Sequence, residues 1–323
     1  KLYLEQYLER ASHLEVQVVG DNYGNIIHMF ERDCSVQRRN QKVVEEAPSV
    51  KLTPEQRERL TGYALALARY LGYTNVGTIE FLVSESGEAY FLEMNTRLQV
   101  EHGVTEMVTG VDMVELQIRI AAGEPLPLRQ EDVKLNGHAI EVRVYSEDPQ
   151  TFLPCTGKVE VLREPSREHV RVDSSLFPGL EITPFYDPML AKVIAWGRNR
   201  EEARKRLLSA LSSFWLEGVV TNLPILSATL EHPDFASGNY NTRFLSEVVL
   251  RLWEQSQMGA FSKNGASDRE MAAAIAVALL MARKGQTATP SGYATINRTP
   301  SPWLTEGRLQ QMAARTMAQR GWR

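Results

Sequence analysis

Residues 93–102 read Glu-Met-Asn-Thr-Arg-Leu-Gln-Val-Glu-His, the densest run of acid, amide and guanidinium groups in the chain. In an extended backbone alternate side chains share a face. Glu93, Asn95, Arg97, Gln99 and Glu101 would then line one side, with Met94, Leu98 and Val100 on the other. A solvated strand edge alternates too, although its polar side seldom consists only of long acids, amides and guanidinium groups. The stretches GTIEFLV and EAYFLEM flank Ser84-Glu85-Ser86-Gly87 and read as a hairpin. With Ser86-Gly87 at its tip, Glu80 falls opposite Glu93. Two carboxylates across a ladder repel unless a cation lies between them, and Asn95 adds a neutral oxygen two residues on. Such an incomplete set of hard oxygens suits Mg²⁺, which completes its shell with water and nucleotide phosphates. A one-residue change of register would remove the opposition.

A second cluster, residues 31–46, carries Arg38, Arg39 and Lys42 among acids. Charge runs are usually solvated faces, but these three could meet anions such as phosphate or bicarbonate. Cys34 in this setting is either a thiol of lowered pKa or, more commonly, an inert one. His13 and His138 each sit beside an alternating run and are by default structural. Arg143 follows Glu141 at strand spacing, which would present it either in a site or in a surface ion pair. Neither G-x-x-x-x-G-K-[ST] nor G-x-G-x-x-G occurs. If ATP is used, another part must hold its triphosphate.

The elements that would carry these residues follow from patterning. Residues 14–30 form two apolar runs around Asp21-Asn22-Tyr23-Gly24-Asn25, a hairpin. Thr53-Pro54-Glu55 opens a helix over 53–72, with Leu60, Ala64, Leu67, Ala68 and Leu71 at helical spacing and Gly72 ending it. Residues 105–123 read as one helix. Past a break near 134–137 come the strands HAIEVRVYS, GKVEVLRE and MLAKVIAWG, then a helix over 200–213. This order favours α+β with antiparallel sheets over a doubly wound parallel sheet. From about 255 the chain turns to Ser/Gly/Thr/Pro punctuation around one helix candidate, 267–284, whose Ser267-x-x-Glu270 fits a capping box.

Composition narrows the class. The 323 residues are 43% hydrophobic and 24% charged with a formal net charge of −4, which excludes collagen-like and disordered chains. Two cysteines and no CxxC speak against a disulfide framework or structural zinc, and for a reducing compartment. No run of about 18 apolar residues suggests a spanning helix. Residues 255–323 hold nine Lys+Arg and three Asp+Glu, while residues 1–254 hold 27 and 37. The acidic body argues against nucleic-acid binding. The basic tail reads as a solvated linker, with RNA or acidic lipid as the alternative.

The stretches ERDCSVQRRNQKVVEEAPS, FLEMNTRLQVEHGVTEMVTGVD, GHAIEVRVYSEDP and PFYDPMLAKVIAWG resemble the biotin carboxylase family of ATP-grasp enzymes, in order, from about residue 1 to about 250. In flavour they are most similar to the biotin-containing alpha subunit of an acyl-CoA carboxylase of the acetyl-, propionyl- or methylcrotonyl-CoA type. The resemblance implies the C-terminal part of an ATP-grasp domain over 1–136, the biotin carboxylase C-terminal domain over 137–251, and a linker or tail over 252–323. It implies Mg²⁺ (or Mn²⁺) on Glu80, Glu93 and Asn95, adenine at Glu5 to Leu8, ribose at His13, and nucleotide-side positions at Gln37 and Asn40. Lys42, Arg97, Gln99 and Val100 would bind bicarbonate, Glu101 would deprotonate it, and Arg143 would stabilise a biotin enolate. The implied partners are a biotin carrier domain, a carboxyltransferase subunit and a second copy of the chain. The implied location is the cytoplasm, or the mitochondrial matrix in a eukaryote.

Two positions depart from the family's pattern: Asn40 stands where His is common, and Gly103 where Pro is usual. Asn40 can donate a hydrogen bond but carries no charge, and Gly103 is expected to loosen its loop. The chain opens at Lys1 inside the patterned stretch LYLEQYLE, as the interior of a longer protein would. The family's N-terminal domain, phosphate-clamping lysines and glycine-rich lid are expected upstream, and these 323 residues alone are expected to be inactive. The alternatives are another ATP-grasp ligase that does not use biotin, or a non-catalytic assembly fragment.

Overall fold

A computed structural model describes residues 2, 4, 6–149 and 151–253. Glu5 and the expected helix over 267–284 lie outside the described residues, as does the expected tail except for Leu252 and Trp253. Strands β1 (Ala11–Gly20) and β2 (Ile26–Arg38) form the first expected hairpin. Asp21 Oδ1 accepts the backbone N–H groups of Tyr23 and Asn25 at 2.8 and 3.0 Å, which folds the turn. A strand that patterning did not separate, β3 (Gln41–Ala47), returns from β2 through Arg39-Asn40. Both turn residues have positive φ, 50° and 64°. Asn tolerates that backbone well, so the exposed tip of a two-residue hairpin accounts for Asn40 on conformational grounds.

Helix α1 (Pro54–Tyr70) starts as its sequence dictates: Thr53 accepts from the Gln56 backbone, and Gln56 returns a bond to the Thr53 N–H. Its buried Leu60, Ala64 and Ala68 pack on Leu14, Val16, Ile79 and Phe81 of β1 and β4 (Asn75–Ser84). β5 (Ala89–Asn95) completes the second hairpin. The single helix expected over 105–123 is two, α2 (His102–Thr109) and α3 (Met113–Ala121). Gly110 adopts φ 72° and caps α2, and Asp112 accepts from the Glu115 N–H to start α3.

Beyond the compositional break come β6 (His138–Tyr145), β7 (Gly157–Lys158), β8 (Val161–Arg163), β9 (Val170–Ser174), β10 (Glu181–Ile182) and β11 (Met189–Gly197). The expected strand GKVEVLRE is thus split in two. α4 (Arg200–Leu211), β12 (Trp215–Glu217), α5 (Leu223–Glu231) and α6 (Pro233–Ser237) follow. One eight-stranded sheet, ordered β5-β4-β1-β2-β3-β6-β11-β9, is antiparallel at every pairing. The fold is therefore α+β with antiparallel sheets. β3 pairs with β6, with Val44 opposite Val142 and Glu45 opposite Glu141, so the sheet runs without interruption across the break near 137. The described residues belong to one compact unit.

Candidate active site

The polar face of the central strands converges on one ammonium. Lys42 Nζ lies 2.5 Å from Glu15 Oε2, 3.0 Å from Glu80 Oε1 and 2.6 Å from Glu101 Oε1. Glu101 sits just before α2, whose N-terminal partial positive charge favours a carboxylate there. Its other oxygen takes Arg143 Nη2 at 2.9 Å, and Arg143 Nε meets Glu45 Oε1 at 2.5 Å. One buried carboxylate is therefore gripped by two cations from two strands, β3 and β6.

Beneath this layer lies Arg32, fully buried on β2. Its Nε reaches Glu15 at 2.5 Å, and its other nitrogens reach Gln17, Thr78, Gln99 and Thr105 at 2.7 to 3.1 Å. Burial would raise the Glu15 carboxyl, but Arg32 and Lys42 outweigh it and hold it at about 2. Glu80 is likewise held at about 2, burial being outweighed by His13, 2.8 Å from Oε2, and by Lys42. Burial opposes the charge on Lys42 and Arg143 as well, yet the surrounding carboxylates raise both above their usual range.

The hairpin places Glu80 opposite Glu93. It does so through a bulge: nearer the tip Phe81 pairs with Phe91, so Leu92 is an extra residue that restores the opposition the turn alone would have shifted. Asn95 bridges the pair, its Nδ2 lying 3.0 Å from Glu80 and 3.3 Å from Glu93. Two carboxylates with one amide between them make a set of hard oxygen-bearing groups of the kind a divalent cation takes. The ligand atoms of His13, Glu15 and Glu80 also lie within 4.8 Å of one another, but Lys42 and Arg32 already neutralise Glu15 there.

The extended chain expected over 93–101 ends at Asn95. After it the backbone turns, so Arg97 is exposed, donating to Asn95 Oδ1 at 3.3 Å, while Gln99 and Glu101 are buried. Gln99 donates to Glu80 at 2.6 Å. The Val100 carbonyl accepts from Lys192 Nζ of β11 at 2.6 Å. Gln37 is buried opposite Lys42, Leu8 is half-buried ahead of β1, and Asn40 stands at its hairpin tip.

Some expectations change. The 31–46 segment is no solvated face: Glu31 to Gln37 are buried, and only Arg39, Asn40 and Gln41 are fully exposed. Arg38 points away, pairing with Glu147 at 3.2 Å and lying over Phe152. Burial, with Glu15 adding to it, pushes the Cys34 thiol well above its ordinary value, so it is inert. Arg143 makes no surface ion pair. Reasoning from sequence missed Arg32, Glu15, Gln17, Glu45 and Lys192. For Glu15 and Gln17 the signal was present, since His13, Glu15 and Gln17 alternate along β1 as Glu93 and Asn95 do along β5.

Residues 1–129 match the family described as carbamoyl-phosphate synthase L chain, ATP binding domain, and residues 141–247 match the biotin carboxylase C-terminal domain. The chain belongs to the biotin carboxylase family. It is 49% identical over 246 residues to biotin carboxylase 2 of Bacillus subtilis, covering 76% of this chain and 55% of that protein. It is 43% identical over 305 residues to the mitochondrial methylcrotonoyl-CoA carboxylase subunit alpha of Arabidopsis thaliana, covering 94% and 41%. Among solved structures, the biotin carboxylase domain dimer of Hydrogenobacter thermophilus 2-oxoglutarate carboxylase, in complex with MgADP, ADP and bicarbonate, superposes with a TM-score of 0.74 at 50% identity, over 75% of this chain and 54% of that one. The chain spans about half the length of the biotin carboxylases it matches.

Proposed function

We propose that this biotin carboxylase family chain carries the bicarbonate- and biotin-handling face of an ATP-dependent biotin carboxylase. The observation behind the reading is Glu101, buried and gripped by Lys42 at 2.6 Å and Arg143 at 2.9 Å. Bicarbonate is a poor nucleophile until it is held and deprotonated. Glu101 is the general base, and Lys42, Arg97, Gln99 and Val100 surround the anion. The deprotonated oxygen bonds to the γ-phosphorus of ATP as the bond to ADP breaks, giving carboxyphosphate. Cleavage of its C–O bond yields CO₂ and phosphate. The phosphate takes the ureido proton of biotin, and the freed nitrogen bonds to CO₂. The Arg143 guanidinium offsets the charge that develops on the ureido oxygen.

Glu80, Glu93 and Asn95 would hold Mg²⁺ (or Mn²⁺), which neutralises phosphate charge when bound. Glu5, Leu8, His13, Gln37 and Asn40 would lie on the nucleotide side. The domain division at 136/137 is supported by the matched spans, 1–129 and 141–247, which fall on either side of it. Similarity to the Arabidopsis alpha subunit extends over 305 residues against 246 for the Bacillus enzyme, and so continues into 252–323. That supports an acyl-CoA carboxylase alpha subunit, whose biotin sits on a carrier domain and whose partners are a carboxyltransferase subunit and a second copy. Among the described residues no helix is long and apolar enough to cross a membrane.

The test is Arg143→Ala in the protein that carries this chain. Biotin-dependent ADP formation should fall on the order of 100-fold, while bicarbonate-dependent ATP hydrolysis persists. Equal loss of both would favour an ATP-grasp ligase that does not use biotin.

A further inference from the structure

Behind Arg143 lies a buried carboxylate that this reaction leaves unused. Glu45 on β3 is fully buried, and its Oε1 meets Arg143 Nε at 2.5 Å. The guanidinium is thus held at two points, Nε on Glu45 and Nη2 on Glu101. Strand register sets this up. Glu45 lies directly opposite Glu141, and Arg143, two residues further along β6, shares their face.

Glu141 is also fully buried, with Lys192 Nζ 4.0 Å from its Oε2. Two carboxylates paired across a ladder cannot both ionise at low cost. Burial pushes both carboxyls up, Glu141 well above its ordinary range and Glu45, with Arg143 directly against it, only to about 7. The charge of the pair therefore resides on Glu45, the member that touches Arg143.

The two grips on Arg143 have different fates. As base, Glu101 gains a proton, and its hold on Nη2 weakens. Glu45 takes no part in that transfer and, once ionised above about pH 7, keeps its charge through it. We propose that Glu45 is a positioning residue, anchoring Arg143 through Nε so that Nη2, released when Glu101 is protonated, is presented to the ureido oxygen. The inference rests on the function proposed above.

Glu45→Gln keeps the shape and removes the charge. The biotin-dependent kcat should fall about 10- to 100-fold, as misplacing a catalytic group does, and far more than bicarbonate-dependent ATP hydrolysis falls. Glu45→Asp should recover part of the loss. In an Arg143→Ala background Glu45→Gln should cost nothing further, because its effect passes through Arg143. The groups facing Glu45 are Arg143 and Glu141 on β6, Lys42 on β3, Glu101 before α2 and the neutral Cys34 on β2. Burial pushes Glu45 up to about 7, so the biotin-dependent rate should rise through that pH and lose the limb in Glu45→Gln. An equal loss in both assays, or additivity with Arg143→Ala, would overturn the role of Glu45. If Arg143→Ala fails to separate the two assays, the proposed function itself fails; if it separates them and Glu45→Gln does not, only this inference fails. Should Glu45→Gln not fold, Glu45→Asp with and without Arg143→Ala completes the same cycle.

Discussion

At the scale of single residues, the site depends on charges that are expensive to bury and therefore mutually dependent. Glu15 is the clearest case: fully buried, it neutralises Arg32 through one oxygen and Lys42 through the other. Removing one partner of a buried ion pair leaves the rest uncompensated, at a typical cost of about 3–5 kcal/mol. Glu15→Gln should destabilise the fold by that order, measured as a denaturant midpoint. The pH dependence follows from the direction of the shift. Glu15 and Glu80 are held at about 2 in the folded protein, below the ordinary 4.5. Their contribution is present above about pH 4.5 and is lost as the pH falls towards 2. Native stability should therefore decline over that window, with a shallower decline in Glu15→Gln. Parallel acid slopes for the two proteins would show that Glu15 is not the group responsible.

At the scale of elements, short irregularities aim the residues, and these were the least legible part of the sequence. The hairpin arithmetic found Glu80 opposite Glu93, but only the Leu92 bulge makes it true. Alternation carried the polar face as far as Asn95; the turn that follows depends on tertiary bonds, such as Lys192 to the Val100 carbonyl, that no local pattern encodes. Thr53 and Pro54 announced α1 because capping is local chemistry. Arg32 went unnoticed because its five acceptors, Glu15, Gln17, Thr78, Gln99 and Thr105, come from separate stretches of chain. Gly103 was expected to loosen a loop. It is instead buried in the first turn of α2, where an added Cβ would lie 2.3 Å from Ile194 Cδ1 and 3.2 Å from Glu141 Oε2. Alanine favours a helix over glycine by about 1 kcal/mol, yet overpacking a filled core costs about 1–3 kcal/mol. Gly103→Ala should therefore destabilise by about 1 kcal/mol in chemical denaturation. A neutral or stabilising result would mean that Ile194 swings aside freely.

At the scale of the whole molecule, one carboxylate ties the two family-matched spans together. Glu46 on β3 accepts Arg200 Nε and Nη2 at 2.7 and 3.0 Å, His138 Nε2 at 2.5 Å and the Tyr240 hydroxyl. Its partners thus come from β6, α4 and the segment after α6, while β3 itself belongs to the first span. Burial would raise this carboxyl, but His138 and Arg200 hold it below the usual range, so it stays charged. Its partner across the ladder is Ile140, in the same β3–β6 pairing that sets Glu45 against Glu141. The ladder and the ion cluster therefore join the same two strands that supply Lys42 and Arg143, and the grip on Glu101 depends on that junction. Glu46→Ala should cost about 3–5 kcal/mol, since it strands Arg200 and His138 in the interior. Because the sheet is continuous, the loss should be felt on both sides of it. Amide exchange should quicken in β1 as well as in β11, measured by hydrogen–deuterium exchange. Faster exchange confined to β6, β11 and α4 would show that the two spans unfold independently. Glu101 and Arg143 would then be held together only by their own ion pair.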